Sequence, residues 1–197
     1  STSDVPLEVI LPSGRSAVTI SAGQSYTCAT MDDGSAWCWG HAQYSVLGNG
    51  QTSGSESLPV QVSLPPGRMA ASVSSGWTRT CALMQDGDVF CWGDSRLGDG
   101  NSSGSATPVR VQLPTSKGNL ESAESISTGH SHACARLTGG SVASTGLVAC
   151  WGWNGYGQLG NGNNTDSIYP FYVDFGMGEE VGEVFAGGYH TCSRQSN

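Results

Sequence analysis

The chain is poor in lysine. Lys117 stands alone beside seven scattered arginines, charged residues reach only 12% of 197, and the net charge is −8. A nucleic-acid surface needs clustered basic side chains to displace counterions, so DNA, RNA and anionic lipid are disfavoured as partners. Long apolar runs are missing as well. None reaches the roughly eighteen residues of a membrane-spanning helix, so no membrane insertion is expected. No segment repeats its apolar residues every 3.6 positions, which argues against a helical bundle. The opening Ser1-Thr2-Ser3 has neither initiator Met nor signal peptide and reads as a processed or excised segment. Glycine, by contrast, occurs 29 times and tryptophan six. That balance suits many short strands joined by turns, and the regular spacing of the tryptophans disfavours disorder.

A repeat dominates the chain. Cys-Trp-Gly is written at Cys38-Trp39-Gly40, Cys91-Trp92-Gly93 and Cys150-Trp151-Gly152. Each copy follows a cysteine five residues after a glycine: Gly23 and Cys28, Gly76 and Cys81, Gly129 and Cys134, with a fourth start at Gly187 and Cys192. The first two periods are 53 residues and the third is 58. Each unit contains four stretches of strand character, and such a period fixes the architecture before any local motif does. The units run approximately over 17–64, 70–113 and 123–174, with a partial unit at 181–197. The fourth stretch is led by proline, at Pro59, Pro108 and Pro170, as suits an edge strand where a missing N–H is harmless. Residues 5–11 match that fourth stretch and are expected to be an N-terminal strand completing a neighbouring blade.

The hairpin between the second and third strands follows from the cysteines. Cys28 and Cys38 are symmetric about Asp33, and Cys81 and Cys91 about Asp86. Each loop then has three residues ending in Gly, the pattern of a type I turn closed by a left-handed residue. The cysteines fall opposite one another at a non-hydrogen-bonded position, about 4.5–5.5 Å apart at Cα. Disulfides Cys28–Cys38, Cys81–Cys91 and Cys134–Cys150 are expected, the last across a loop six residues longer. Reduced, buried cysteines are the alternative reading. Zinc is a weaker one, since nine intervening residues are not a usual ligand spacing. Cys192 is left unpaired or paired by a partner. Disulfides in turn imply an oxidising compartment, either extracellular, the secretory-pathway lumen, or a bacterial periplasm or surface.

The order Gly-x-x-His-x-Cys-Ala, turn, Cys-Trp-Gly, Gln-Leu-Gly-x-Gly and proline-led strand resembles the regulator of chromosome condensation repeat family. Gly152 to Gly162 carries the best match, and the resemblance extends from about Pro6 to Cys192. It implies an all-β fold: β-propeller blades of four antiparallel strands in a partial ring of about 3.5 to 4 blades. A seven-bladed ring would need about 370 residues, so a larger protein or an assembly with further blades is expected. Departures from the pattern are a turn three residues shorter after Trp92, and Tyr26 and Arg79 where His132 and His190 keep the family histidine.

His41, His130, His132 and His190 invite a metal or acid–base role, but His132 and His190 hold equivalent places in successive blades and should not converge, which favours structural hydrogen bonding. No nucleophile elbow is present. The Leu-Gly-x-Gly turns lack both the Gly-Lys-Ser/Thr ending of a phosphate loop and the carboxylates of a calcium loop. No catalytic residue, metal or cofactor is expected. Glu179, Glu180 and Glu183 read as a solvated acidic loop. Asn101 and Asn163 head N-x-S/T sequons in exposed loops, where glycosylation would suit a secreted protein, although chance also supplies such sequons. Trp39, Trp92 and Trp151 recur in register and should pack the blades. Tyr44, Trp77, Trp153 and Tyr156 do not recur and lie in turns, where a repeat scaffold keeps its binding surface. The extended hairpin from Thr138 to Ala149 is a second contact element. The expected function is a non-enzymatic extracellular protein-interaction or structural module. The resemblance offers guanine-nucleotide exchange on a small GTPase as the alternative.

Overall fold

The computed structural model describes residues 4–116, 119–138, 147–173, 175 and 181–195. Three four-stranded antiparallel sheets follow one another along the chain, each in simple sequential order. The first contains β1 (Ala17–Ala22), β2 (Tyr26–Met31), β3 (Ala36–His41) and β4 (Ser55–Gln61). The second contains β5 (Ala70–Ser75), β6 (Arg79–Met84), β7 (Val89–Gly93) and β8 (Ser105–Arg110). A two-stranded ribbon of β9 (Thr115–Ser116) and β10 (Asn119–Leu120) precedes the third sheet. That sheet comprises β11 (Ala123–Thr128), β12 (His132–Leu137), β13 (Leu147–Gly152) and β14 (Ser167–Tyr172). Two further strands, β15 (Val181–Ala186) and β16 (Thr191–Gln195), pair with each other. Successive sheets pack side by side, β5 against β1 and β2, β11 against β5 and β6, and β15 against β11 and β12. The result is an arc of propeller blades.

The hairpin turns form as their residues dictate. Met31 N–H donates to the Ser35 carbonyl at 2.8 Å, Gly34 N–H donates back to Met31 at 2.9 Å, and Gly34 takes φ +78°. Met84, Gly87 and Asp88 repeat the arrangement. Cys28 faces Cys38, Cys81 faces Cys91 and Cys134 faces Cys150, each pair disulfide-bonded with Cα atoms 4.1 Å apart. Cys192 is an exposed free thiol opposite Phe185 on β15. Residues 139–146 of the long third hairpin lie outside the described residues, as do Glu179 and Glu180. Glu183 pairs with Arg194 at 3.0 Å.

The blades meet through three sets of repeated residues. At the axis, a Cβ on Gly76 would strike the carbonyl oxygen of Gly129, and one on Gly129 would strike that of Gly187. This close approach is why each unit opens on glycine. Beside it runs a serine ladder: Ser21 Oγ accepts from Ser75 N–H at 2.9 Å, Ser74 Oγ from Thr128 N–H at 3.0 Å, and Ser127 Oγ from Ala186 N–H at 2.8 Å. Further out, two of the three repeated tryptophans pack on the preceding blade, while Trp39 is half-buried. Trp92 and Trp151 are fully buried, against Gly48 and Gly98 of the Leu-Gly-x-Gly turns. Trp92 Nε1–H donates to the Val46 carbonyl at 2.7 Å.

Two expectations about strands need correction. The outer strands begin before their prolines: three residues ending in Pro59, Pro108 or Pro170 bulge opposite the single tryptophan. The bulge frees the proline from the ladder and turns the Ala106 and Ile168 carbonyls toward Gly50 and Gly100 N–H of the preceding blade, at 3.0 and 3.1 Å. Residues 5–11 form no strand within these sheets, each of which already holds its own fourth strand, and the neighbouring blade they were expected to complete lies outside the described residues.

Candidate functional site

The loops joining first to second strands, and third to fourth, emerge on one face of the arc. The hairpins emerge on the other. The hairpin face is charged and internally paired. Arg68 bonds Asp86 and lies 2.6 Å from Asp88, which Arg110 also reaches at 2.6 Å, and Arg15 meets Asp33 at 2.9 Å. Burial pushes Asp88 up, but Arg110 and then Arg68 outweigh it and hold the carboxyl below its ordinary range.

The opposite face is aromatic. Trp77, directly after axial Gly76, lies 4.2 Å from the His130 ring, which follows axial Gly129. His130 stacks on Tyr189 at 5.0 Å. Tyr189 meets Trp153 and Tyr156 edge-on at 5.7 and 5.4 Å, and those two rings meet each other at 5.2 Å. Tyr156 is 70% exposed, Tyr189 47% and Trp77 41%. Tyr44 joins through a recess that it lines with Trp77, Tyr26 and Val46. All four turn aromatics singled out in the sequence therefore lie along one rim. His130 and Tyr189 complete it and were missed. The available signal was their place just after the axial glycines, obscured in the last unit by the extra Gly188.

Beneath the rim, the positions of the family histidine secure the blades. His132 is fully buried and its Nε2 lies 2.9 Å from Thr191 Oγ1. Thr191 spends its one hydroxyl hydrogen on the Gln158 carbonyl, 2.8 Å away. His132 Nε2 must therefore donate, leaving Nδ1 as a buried acceptor without a partner. Burial, followed by the charge of Arg79 and by His190 and His130, pushes His132 down to about 4. His130 is also lowered, by burial and then Arg79, while its Nδ1 lies 2.6 Å from Ser131 Oγ. Arg79 fills the space left by the shortened second turn and donates to the Ser95 and Arg96 carbonyls at 2.8 and 3.1 Å. Burial lowers it to about 10. Tyr26 Oη–H donates to the Arg79 carbonyl at 2.7 Å, and His41 Nδ1 accepts from Gln43 N–H. Tyr26, Arg79 and His132 are buried and committed to packing, and the rim above them presents its aromatic rings.

Asn101 and Asn163 are both exposed. Asn101 Nδ2 donates to Asp99, and Asn163 Oδ1 accepts from Thr165 N–H at 2.8 Å.

The sequence pattern of the regulator of chromosome condensation (RCC1) repeat matches residues 33–83, 86–136 and 145–193, and a second form of it matches 17–45 and 70–99. The ultraviolet-B receptor UVR8 of Arabidopsis thaliana is 29% identical over 192 residues, covering 96% of this chain and 41% of the receptor. Human E3 ubiquitin-protein ligase HERC2 is 29% identical over 180 residues, 89% of this chain and 4% of the ligase. Among solved structures, human WBSCR16 superimposes with a TM-score of 0.80 at 25% identity, over 94% of this chain and 46% of that one. Prp20p of Saccharomyces cerevisiae gives 0.76 at 20% identity, over 92% and 44%, a likeness of fold. The chain thus spans less than half the length of these relatives.

Proposed function

The chain belongs to the regulator of chromosome condensation (RCC1) repeat family, and from that premise we propose that it is a non-enzymatic interaction module that docks a protein partner through its aromatic rim, outside the cytosol. The observation that carries this reading is the contiguous line Trp77, His130, Tyr189, Trp153 and Tyr156 on one face, with Trp77, Tyr189 and Tyr156 exposed and His130 and Trp153 half-buried. Aromatic side chains give large contact area for little conformational entropy and dominate the energetic centres of protein interfaces. Among the described residues of the opposite face, Arg15, Arg68 and Arg110 are paired with Asp33, Asp86 and Asp88. Disulfides within all three complete blades support maturation in an oxidising compartment, where exposed Asn101 and Asn163 would also be open to glycosylation. The receptor and ligase activities named for UVR8 and HERC2 belong to proteins of which this chain matches 41% and 4%.

Two measurements test the reading. Alkylation of the denatured protein as isolated from its source should modify Cys192 alone, with the other six cysteines reacting only after reduction. Seven reactive thiols without reductant would place the chain in a reducing compartment and favour the exchange-factor alternative. For the rim, a protein retained by the immobilised chain from its native fluid should be lost with a Trp77→Ala, Trp153→Ala variant of unchanged circular dichroism. Equal retention by the two would reject the aromatic rim as the docking face.

A further inference from the structure

On the aromatic face, a recess of about 260 Å³ lies between the first and second blades, both complete. Its walls come from the two blades together. Gln24 and Ser25 belong to the loop after β1, His41, Gln43 and Tyr44 to the end of β3 and the turn beyond it, and Trp77 to the loop after β5. The buried residues that line it, Tyr26 and Val46, have already used their polar groups. The Tyr26 hydroxyl donates to the Arg79 carbonyl at 2.7 Å, and the Val46 carbonyl accepts from Trp92 Nε1–H at 2.7 Å. These two residues therefore offer a ligand carbon surface, and its polar contacts must come from the walls.

The wall groups are available. Gln24, His41 and Gln43 are exposed, and neither glutamine side-chain amide has a hydrogen-bond partner among the described residues. His41 Nδ1 accepts from Gln43 N–H at 3.3 Å, so in the neutral ring Nε2 carries the hydrogen and is a donor. No charged side chain lines the recess among the described residues. A second observation is independent of this lining. Tyr44 and Ser45 take φ values of 61° and 63°, and Arg96 is the one other non-glycine residue with positive φ among the described residues. Glycine would hold this backbone without strain. The chain instead keeps a tyrosine there, 42% exposed, so the ring does little for the core while the turn holds it at the recess.

We propose that the recess binds one neutral pyranose ring with equatorial hydroxyls, as in a β-glucoside. Such a ring directs its hydroxyls sideways and its axial C–H bonds to both faces. The apolar faces pack on Trp77 and Tyr44, which are carried by different blades, and the hydroxyls meet Gln24, Gln43 and His41 Nε2–H. A glutamine amide donates and accepts at neighbouring atoms, as suits adjacent hydroxyls. A carboxylate or ammonium ligand would leave water here without meeting a counter-charge. The proposal goes beyond protein docking through the rim and stands without it.

The test is an NMR titration of the isotope-labelled full chain with methyl β-D-glucopyranoside. Saturable shifts are expected at the Trp77 indole N–H and at the Gln24 and Gln43 side-chain amides. Sorbitol carries similar hydroxyls without ring faces and should leave those signals in place at equal concentration. Tyr44→Gly suits the left-handed backbone, so it should keep the fold and weaken binding about tenfold through loss of the ring. Gln43→Ala, at an exposed position, should weaken it about fivefold through lost hydrogen bonds. Shifts that fail to saturate, an equal response to sorbitol, or unchanged affinity in Tyr44→Gly would overturn the proposal. No protein partner is present in the titration, so its failure is distinct from failure of the rim to retain one.

Discussion

Arg79 shows how one substitution in a repeat is accommodated. The second turn is three residues shorter than its neighbours, and the space it vacates holds a guanidinium that bonds two carbonyls. Arg79→Ala would leave a cavity and strand the Ser95 and Arg96 carbonyls, lowering unfolding free energy by about 3 kcal/mol in a urea titration. Arg79→Lys should recover only part, since a single ammonium lacks the fork that reaches both acceptors. A full recovery would show that charge alone matters. His132 makes the opposite use of burial. Its folded value is about 4 against an ordinary 6.5, so the unfolded chain takes up the proton first as pH falls. Stability from this residue is complete above pH 6.5 and is lost toward pH 4, by about 3 kcal/mol in all. His132→Gln keeps a donor for Thr191 and removes the titration. Urea midpoints of the variant should fall less steeply than wild type between pH 6.5 and 4.5, and parallel curves would refute the assignment.

Among the elements, the hairpins were the most legible, because paired cysteines symmetric about an aspartate fix both turn type and register. The bulges were not. Proline marks where they end, but the three residues opposite each tryptophan are set by the need to present Ala106 and Ile168 carbonyls to the preceding blade. The segment 5–11 carries strand-like residues yet forms no strand, because pairing depends on a neighbour the local pattern cannot supply. The axial glycines lie between these cases. Their recurrence was plain, whereas its cause, the carbonyl of the next blade at the missing Cβ, needed three dimensions. Gly129→Ala should therefore destabilise much more than Gly162→Ala, where open space surrounds the residue and only φ +76° opposes a side chain. The second change should cost about 1–2 kcal/mol from left-handed strain alone, and the first several. Similar thermal shifts for both would remove the axial contact from the account.

For the whole molecule, the rim of aromatic rings was half legible. Trp77, Trp153, Tyr156 and Tyr44 stood out as unrepeated residues in turns, but only the arc of blades brings Trp77 to Trp153, through His130 and Tyr189. The same arc sets a gradient of stability. In a stack of repeats each unit draws its stability from itself and its immediate neighbours. The second blade is packed on both sides, and every residue of β6 and β7 is buried. Four of the six residues of β1 are exposed, as are four of the five of β16. Amide exchange in this 197-residue chain should accordingly be slowest in β6, β7, β12 and β13, and fastest in β1 and β16, since opening an outer strand disrupts one junction whereas opening β6 disrupts two. Uniform protection across all strands would mean that the arc opens only as a whole, and the nearest-neighbour description would fail.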